Sequence, residues 1–261
     1  MPDVALRRTE ACRLVPELRL ESFEEAPTFL EDRGLLTLMP CCSLPSLFGA
    51  CHEEPHTPGK GGYGRYPRTR WWWGGALAEC PGVTATKLHR GTSLFLSERL
   101  VRLVDPLCRA ELDAAAAGEH GPDALRLVDH LAAAGPTTTD DLRVELGLTS
   151  TSVRRLRTRL ERVGAILSRH LRIDTPGGGH RHTSQLSRWD QVAPDDAPVR
   201  AVDEALTGLV VAAVAAAVVA PEADVRRFFW WRLPPDLFDR TVAGGRLVRV
   251  GPDALTTPTD A

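Results

Sequence analysis

Eight arginines lie between Ser150 and His182, at positions 154, 155, 157, 159, 162, 169, 172 and 181, against two acidic residues, Glu161 and Asp174. That segment carries a net +6 inside a chain whose total is −2, so the remainder is acidic and the charge is segregated. A guanidinium donates paired hydrogen bonds to a phosphate or to the major-groove edge of guanine, so a dense array of them suits a nucleic-acid partner. Arginine content is by itself a poor signal here. Lys60 and Lys87 are the only lysines, and the abundance of Ala, Val and Asp fits a GC-rich coding sequence. Spacing is the better signal. Val153, Leu156, Leu160 and Val163 recur at helical intervals, which leaves Arg155, Arg159 and Arg162 together at i, i+4, i+7 on a polar face. Hydroxyls at Thr149 to Ser152 and a helix N-terminus suit a phosphate. The residues expected to contact DNA are Thr149, Ser150, Arg154, Arg155, Arg157, Arg159, Arg162 and Arg181, with Lys60 and Arg65 from a separate basic loop. The bland alternative is a solvated basic helix face.

The flanking sequence supplies elements to position such a helix. Pro122 opens a helix with apolar Leu125, Val128 and Leu131, and Gly135-Pro136 ends it. Thr137 to Thr139 cap a short second helix, with Asp140 and Asp141 in its first turn and Gly147 at its end. Gly147-Leu148-Thr149 forms a tight turn into the arginine helix, which stops at Gly164. Ala165 to Ile173 reads as a strand, Thr175 to Gly179 as a hairpin tip and His180 to Leu186 as the return strand. This order predicts a winged helix-turn-helix. A second copy is expected from Pro198 to Val219, Pro221 to Phe229 and Pro234 to Ala243, followed by Leu247 to Val250 as one strand of a truncated wing. Its third helix carries Asp236 and Asp239 beside Arg240, so a structural role is favoured there.

The expected fold class is mainly α with small β wings, α+β, built of tandem winged helix-turn-helix domains. The divisions are 1–120, a mixed α/β region with a basic Gly/Pro-rich loop at 52–70; 121–190, the winged helix-turn-helix; and 191–261, the truncated copy. Leu94 to Leu107 reads as a helix bounded by Pro106. The twelve apolar residues Leu209 to Ala220 fall short of the ~20 that cross a bilayer and read as a buried helix. Arg7, Arg8 and Glu10 precede any apolar run, so no secretory signal is expected and a cytoplasmic, nucleoid-associated protein with reduced thiols is. Cys41, Cys42, Cys51 and His52 are the residues a zinc ion would draw on. Their irregular spacing favours buried cysteines, and no metal or cofactor is expected. Trp71 to Trp73 and Phe228 to Trp231 suit core packing better than base stacking.

With those elements in place, the chain resembles the AlkZ/YcaQ family of bacterial winged-helix DNA glycosylases. The residues that carry the likeness are Trp71-Trp72-Trp73, Lys87 to Ser97 (KLHRGTSLFLS), Gly135 to Arg143 (GPTTTDDLR), the arginine helix, and ADVRRFFWW with GGRLVRV near the C-terminus. The resemblance implies tandem winged helices forming a concave basic surface around double-stranded DNA, and hydrolytic excision of alkylated or cross-linked bases. It departs from the family at the chemistry. Active members share a Gln-x-Gln or Gln-x-Asp pair, whereas Gln185 and Gln191 are the only glutamines here, so no catalytic residue is carried over. Glu24, Glu25 and Asp32 are acidic residues in the relevant third of the chain and no more than that. Three readings stand: a DNA-binding protein without excision, a glycosylase with altered catalytic residues, and a winged-helix transcriptional regulator or protein-interaction scaffold.

Overall fold

The computed structural model describes residues 2–53, 68–175, 178–193 and 201–259. In chain order the elements are α1 (Pro2–Ala11), α2 (Glu25–Arg33), β1 (Leu35–Thr37), α3 (Leu47–Cys51), α4 (Arg68–Ala78), β2 (Val83–His89) and β3 (Thr92–Ser97). A long helix, α5 (Glu98–Ala116), leads to α6 (Pro122–Ala134), β4 (Thr137–Thr138), α7 (Thr139–Glu145), α8 (Ser150–Glu161), β5 (Ile166–Asp174) and β6 (His180–Arg188). The last set is α9 (Val202–Ala217), β7 (Val219–Pro221), α10 (Glu222–Val225), α11 (Leu237–Ala243), β8 (Val248–Val250) and β9 (Ala254–Thr256).

One pattern therefore occurs three times among the described residues: helix, short strand, two helices, then a hairpin. In each case the short strand pairs with the last strand, so the antiparallel sheets run β1-β3-β2, β4-β6-β5 and β7-β9-β8. The fold is α+β with small three-stranded sheets, as expected. The first occurrence, α2 to β3, lies inside the region read from sequence only as mixed α/β. Its signal is weak because Leu35, Leu36 and Thr37 are all buried and show no period-two alternation. The third occurrence corrects another expectation. Its hairpin is short but closed, since Ala254–Thr256 pairs with both Val219–Pro221 and Val248–Val250.

Helix α5 is the spine. It packs on α9, on α6 and on β3, and so touches all three units. Two expectations about it are corrected. Leu94 to Ser97 is the end of a strand rather than the start of a helix, and the helix runs through Pro106 to Ala116. A proline in a helix interior costs about 3 kcal/mol, but Leu100, Val101, Val104, Leu107, Cys108 and Leu112 are buried along this helix. Burial at about 1.5–3 kcal/mol per large apolar side chain outweighs one lost hydrogen bond. Buried Asp105 accepts from Trp189 Nε1 at 2.8 Å and from Arg109 Nε at 2.9 Å, which pins α5 to the end of the middle unit. Helix α9 holds the alanine-rich run only as far as Ala217; Val218 turns out of the helix at φ +66°, and Val219 and Ala220 belong to β7, while Pro198, where the helix was expected to start, lies outside the described residues. No helix among the described residues is long and apolar enough to cross a membrane.

Candidate nucleic-acid interface

The turn into α8 forms for local reasons. Gly147 takes φ +64°, a left-handed conformation that a Cβ disfavours. Half-buried Leu148 packs against the main core. Thr149 is the N-cap: its Oγ1 accepts from the backbone N–H of Ser152 at 3.1 Å. One face of α8 then buries Val153, Leu156 and Leu160. The opposite face exposes Ser150, Thr151, Arg154, Arg155, Thr158 and Arg159, a run of cations and hydroxyls with no carboxylate.

The eight arginines of the segment divide into two sets. Arg157 pairs with Glu161 at 3.6 Å and donates to Ser184 Oγ at 3.1 Å. Arg169 pairs with Glu79 of the first unit, Arg172 with Asp174 at 3.4 Å, and Arg181 with Asp140 at the start of α7. Each of these four therefore has a carboxylate partner: buried Glu161 for Arg157, exposed carboxylates for Arg169, Arg172 and Arg181, with the Arg172 pair lying along β5 itself. Arg157 and Arg181 thus have structural partners that the sequence count does not reveal. Arg154, Arg155, Arg159 and Arg162 have no carboxylate partner among the described residues, and all four are on or at the end of α8. Free positive charge is therefore narrower than the segment's net charge implies. Arg155 and Arg159 line an open groove of about 370 Å³ with His120, Gly121, Pro122, Asp123 and Leu156. Lys60 and Arg65 lie outside the described residues.

Three further residues belong to this surface and were missed. Arg143, exposed on α7, reaches within 3.5 Å of Ser150 Oγ and adds a cation beside the α8 N-terminus. Arg162 stacks over the exposed ring of Trp230 at 4.3 Å, and Arg90 lies over the same ring at 5.6 Å. Each unit contributes one of those three side chains. A cation–π contact is worth about 0.5–1 kcal/mol at an exposed site. Helical periodicity marks Arg143 as an outward residue; nothing local marks Arg90 or Trp230, which meet only through tertiary packing. The aromatic runs are split. Phe228 and Phe229 are buried and Trp230 is 47% exposed. Trp72 is also exposed, and Trp73 packs edge-on against Phe23 at 6.1 Å. On the hairpin His170 and His182 stack at 4.7 Å, and His180 meets His182 edge-on at 5.0 Å.

Beneath α8 lies a charged cluster at the joint with the first unit. Burial pushes the Glu161 carboxyl up, against the opposing pull of Ser168, Arg157 and Lys87. Burial pushes the Lys87 ammonium down, although it donates to Ser93 Oγ at 2.7 Å. Of the acids in the N-terminal third, Glu24 is surface-exposed, and a hydrogen bond from Ser22 lowers its carboxyl. Glu25 lies 3.8 Å from Arg13, and Asp32 lines an open cavity of about 410 Å³ with Glu10, Arg13 and Arg33. The residues considered for zinc separate. Cys51 is buried in the core of the first unit, and His52 Nε2 is 2.6 Å from the Arg13 carbonyl. Cys41 and Cys42 instead face His89. Comparisons with protein-family models, curated proteins and solved structures matched nothing to this chain.

Proposed function

We propose that the chain binds double-stranded DNA, with α8 as the major-groove helix of the middle of three tandem winged helix-turn-helix units. The observation that carries this reading is the outward face of α8, where three arginines with no carboxylate partner among the described residues stand with three hydroxyls and no acid on that face. A groove-reading helix requires such a face, because phosphates supply most of the binding free energy and arginines also reach guanine edges. The strand order shared by the three sheets supports the winged-helix reading, and the β5–β6 hairpin is the wing. Its arginines mostly serve ion pairs, so the helix outweighs the wing in this interface. DNA binding carries with it a nucleoid-associated location.

Fluorescence anisotropy with a labelled duplex at ~50 and ~200 mM salt tests the reading. The expected result is binding that weakens steeply with salt, since each neutralised phosphate adds about 0.9 to the slope of log affinity against log salt. No binding at the lower salt, or a slope near zero, removes DNA and leaves the protein-interaction scaffold. The base excision implied by the resemblance is a second reading. In its favour, the carboxylates of Asp32 and Glu10 line one open cavity together with Arg13 and Arg33, and a carboxylate is a group that can take a proton from an attacking water. Abasic-site formation on alkylated duplex, lost in Asp32→Asn, is its test; wild-type protein that forms no abasic sites removes it.

A further inference from the structure

Three donor side chains meet at the joint between the first and third units. Cys41 and Cys42 lie on the loop between β1 and α3, and His89 ends β2. One donor atom from each lies within 4.8 Å of the others, and Cys41 Sγ is 3.4 Å from His89 Nε2. In a tetrahedral zinc centre, with Zn–S about 2.3 Å and Zn–N about 2.0–2.1 Å, neighbouring donors sit about 3.5–3.8 Å apart. The sulfur–nitrogen pair is already near that spacing, and the second sulfur lies within 4.8 Å of both.

The orientation of the imidazole is an independent observation. His89 Nδ1 lies 2.6 Å from the backbone carbonyl of Phe228. A carbonyl only accepts, so the ring proton is on Nδ1 and the Nε2 lone pair faces the thiols. Metal-binding histidines are oriented in this way, with the other ring N–H donating to a carbonyl or carboxylate. His89 is buried and Cys41 exposed, which leaves an approach from the Cys41 side. The loop is held from below by Asp224, whose carboxylate accepts from Ser43 through its hydroxyl and, at 3.0 Å, its backbone N–H.

We propose that Cys41, Cys42 and His89 form a three-ligand site for a thiophilic divalent cation of the Zn²⁺ class, with the fourth position open to water or an external ligand. The ion clasps the β1–α3 loop to β2. Through Phe228 and Asp224 that clasp extends to the third unit, so metal uptake stiffens the joint between the two ends of the chain. Imidazole and thiolate are the donor set that favours Zn²⁺ over Mg²⁺ or Ca²⁺.

The full chain, reduced and stripped with a chelator, is titrated with Co²⁺ and then with Zn²⁺. The expected result is one Co²⁺ per chain, a thiolate-to-cobalt charge-transfer band in the near ultraviolet, the visible bands of a tetrahedral centre, and bleaching of both by Zn²⁺. Cys41→Ser, at an exposed position and with its circular dichroism checked, lowers the charge-transfer band by about half and weakens uptake at least about tenfold, because one of two sulfurs is gone. Cys80→Ser, outside the cluster, changes neither. A wild-type chain with no charge-transfer band overturns the site, as does a band that survives both Cys41→Ser and Cys42→Ser undiminished.

Discussion

Arg155 and Arg159 share with Arg154 a freedom that most other arginines of their segment lack, since no carboxylate among the described residues pairs with them. That freedom makes their loss informative. Replacing both with alanine is expected to weaken duplex binding and flatten the salt slope by about 2, one phosphate each, with circular dichroism unchanged. Arg172→Ala removes a charge already paired with Asp174 and is expected to change the slope by less than half as much; an equal change would place the DNA on the hairpin. A second residue-scale prediction concerns Glu161. Burial raises its carboxyl in the folded chain, so the folded state holds its proton to higher pH than the unfolded state does. Its contribution to stability is full below the unfolded value and is lost as pH rises through the folded one. Glu161→Gln does not titrate and should abolish that decline. Urea midpoints measured from acid to neutral pH check it: an unaltered pH dependence would show that Glu161 is not the group responsible.

At the scale of elements, Gly164, in the turn that closes α8, leaves less room for a Cβ than any other glycine among the described residues. Gly164 has φ +78°, and a Cβ there would sit 2.4 Å from Cys108 Sγ and 3.0 Å from Leu88 Cδ2. Those neighbours come from α5 and β2, so one position touches the spine and the first unit together. Gly164→Ala combines left-handed strain with overpacking and is expected to cost about 2–4 kcal/mol. A denaturant midpoint within error of wild type would mean that α8 ends with more slack than its contacts indicate. The arginine helix and its short partner were legible because capping hydroxyls, glycine stops and an apolar stripe coincide at Thr149, Gly164 and Val153 to Leu160. The helix expected from Leu94 was misplaced because Leu94 and Leu96 are buried strand residues, and a fully buried strand shows no alternation.

For the whole molecule, α5 and the bonds around Asp105 decide whether the units move as one. Asp105→Ala leaves the Trp189 indole N–H buried without its acceptor and frees Arg109. The expected cost is about 2–3 kcal/mol, a charged hydrogen-bond partner being worth about 1.5–3. Hydrogen exchange should rise first in α6 and at the end of β6, where the middle unit meets the spine. Protection that falls equally in all three units would indicate global destabilisation instead. Loosening at this joint should also reduce DNA affinity, because Arg162, Arg90 and Trp230 come from three units and share one surface only while the units stay docked.

What the sequence determined by itself was local. The helix–turn–helix order of 122–164, the apolar stripe of α8, its cap and the return hairpin all rest on contacts within a few residues, and periodicity and turn chemistry record those. The tertiary structure decided which arginines of the segment pair with Asp140, Glu79 and Glu161 and which have no carboxylate partner among the described residues. It decided that the N-terminal region repeats the same strand order, and that His89, rather than Cys51 or His52, faces Cys41 and Cys42. Charge pairing, strand neighbours and ligand clusters join residues tens of positions apart. A linear pattern carries no record of such distances, and only the packing of three units on α5 brings those side chains together.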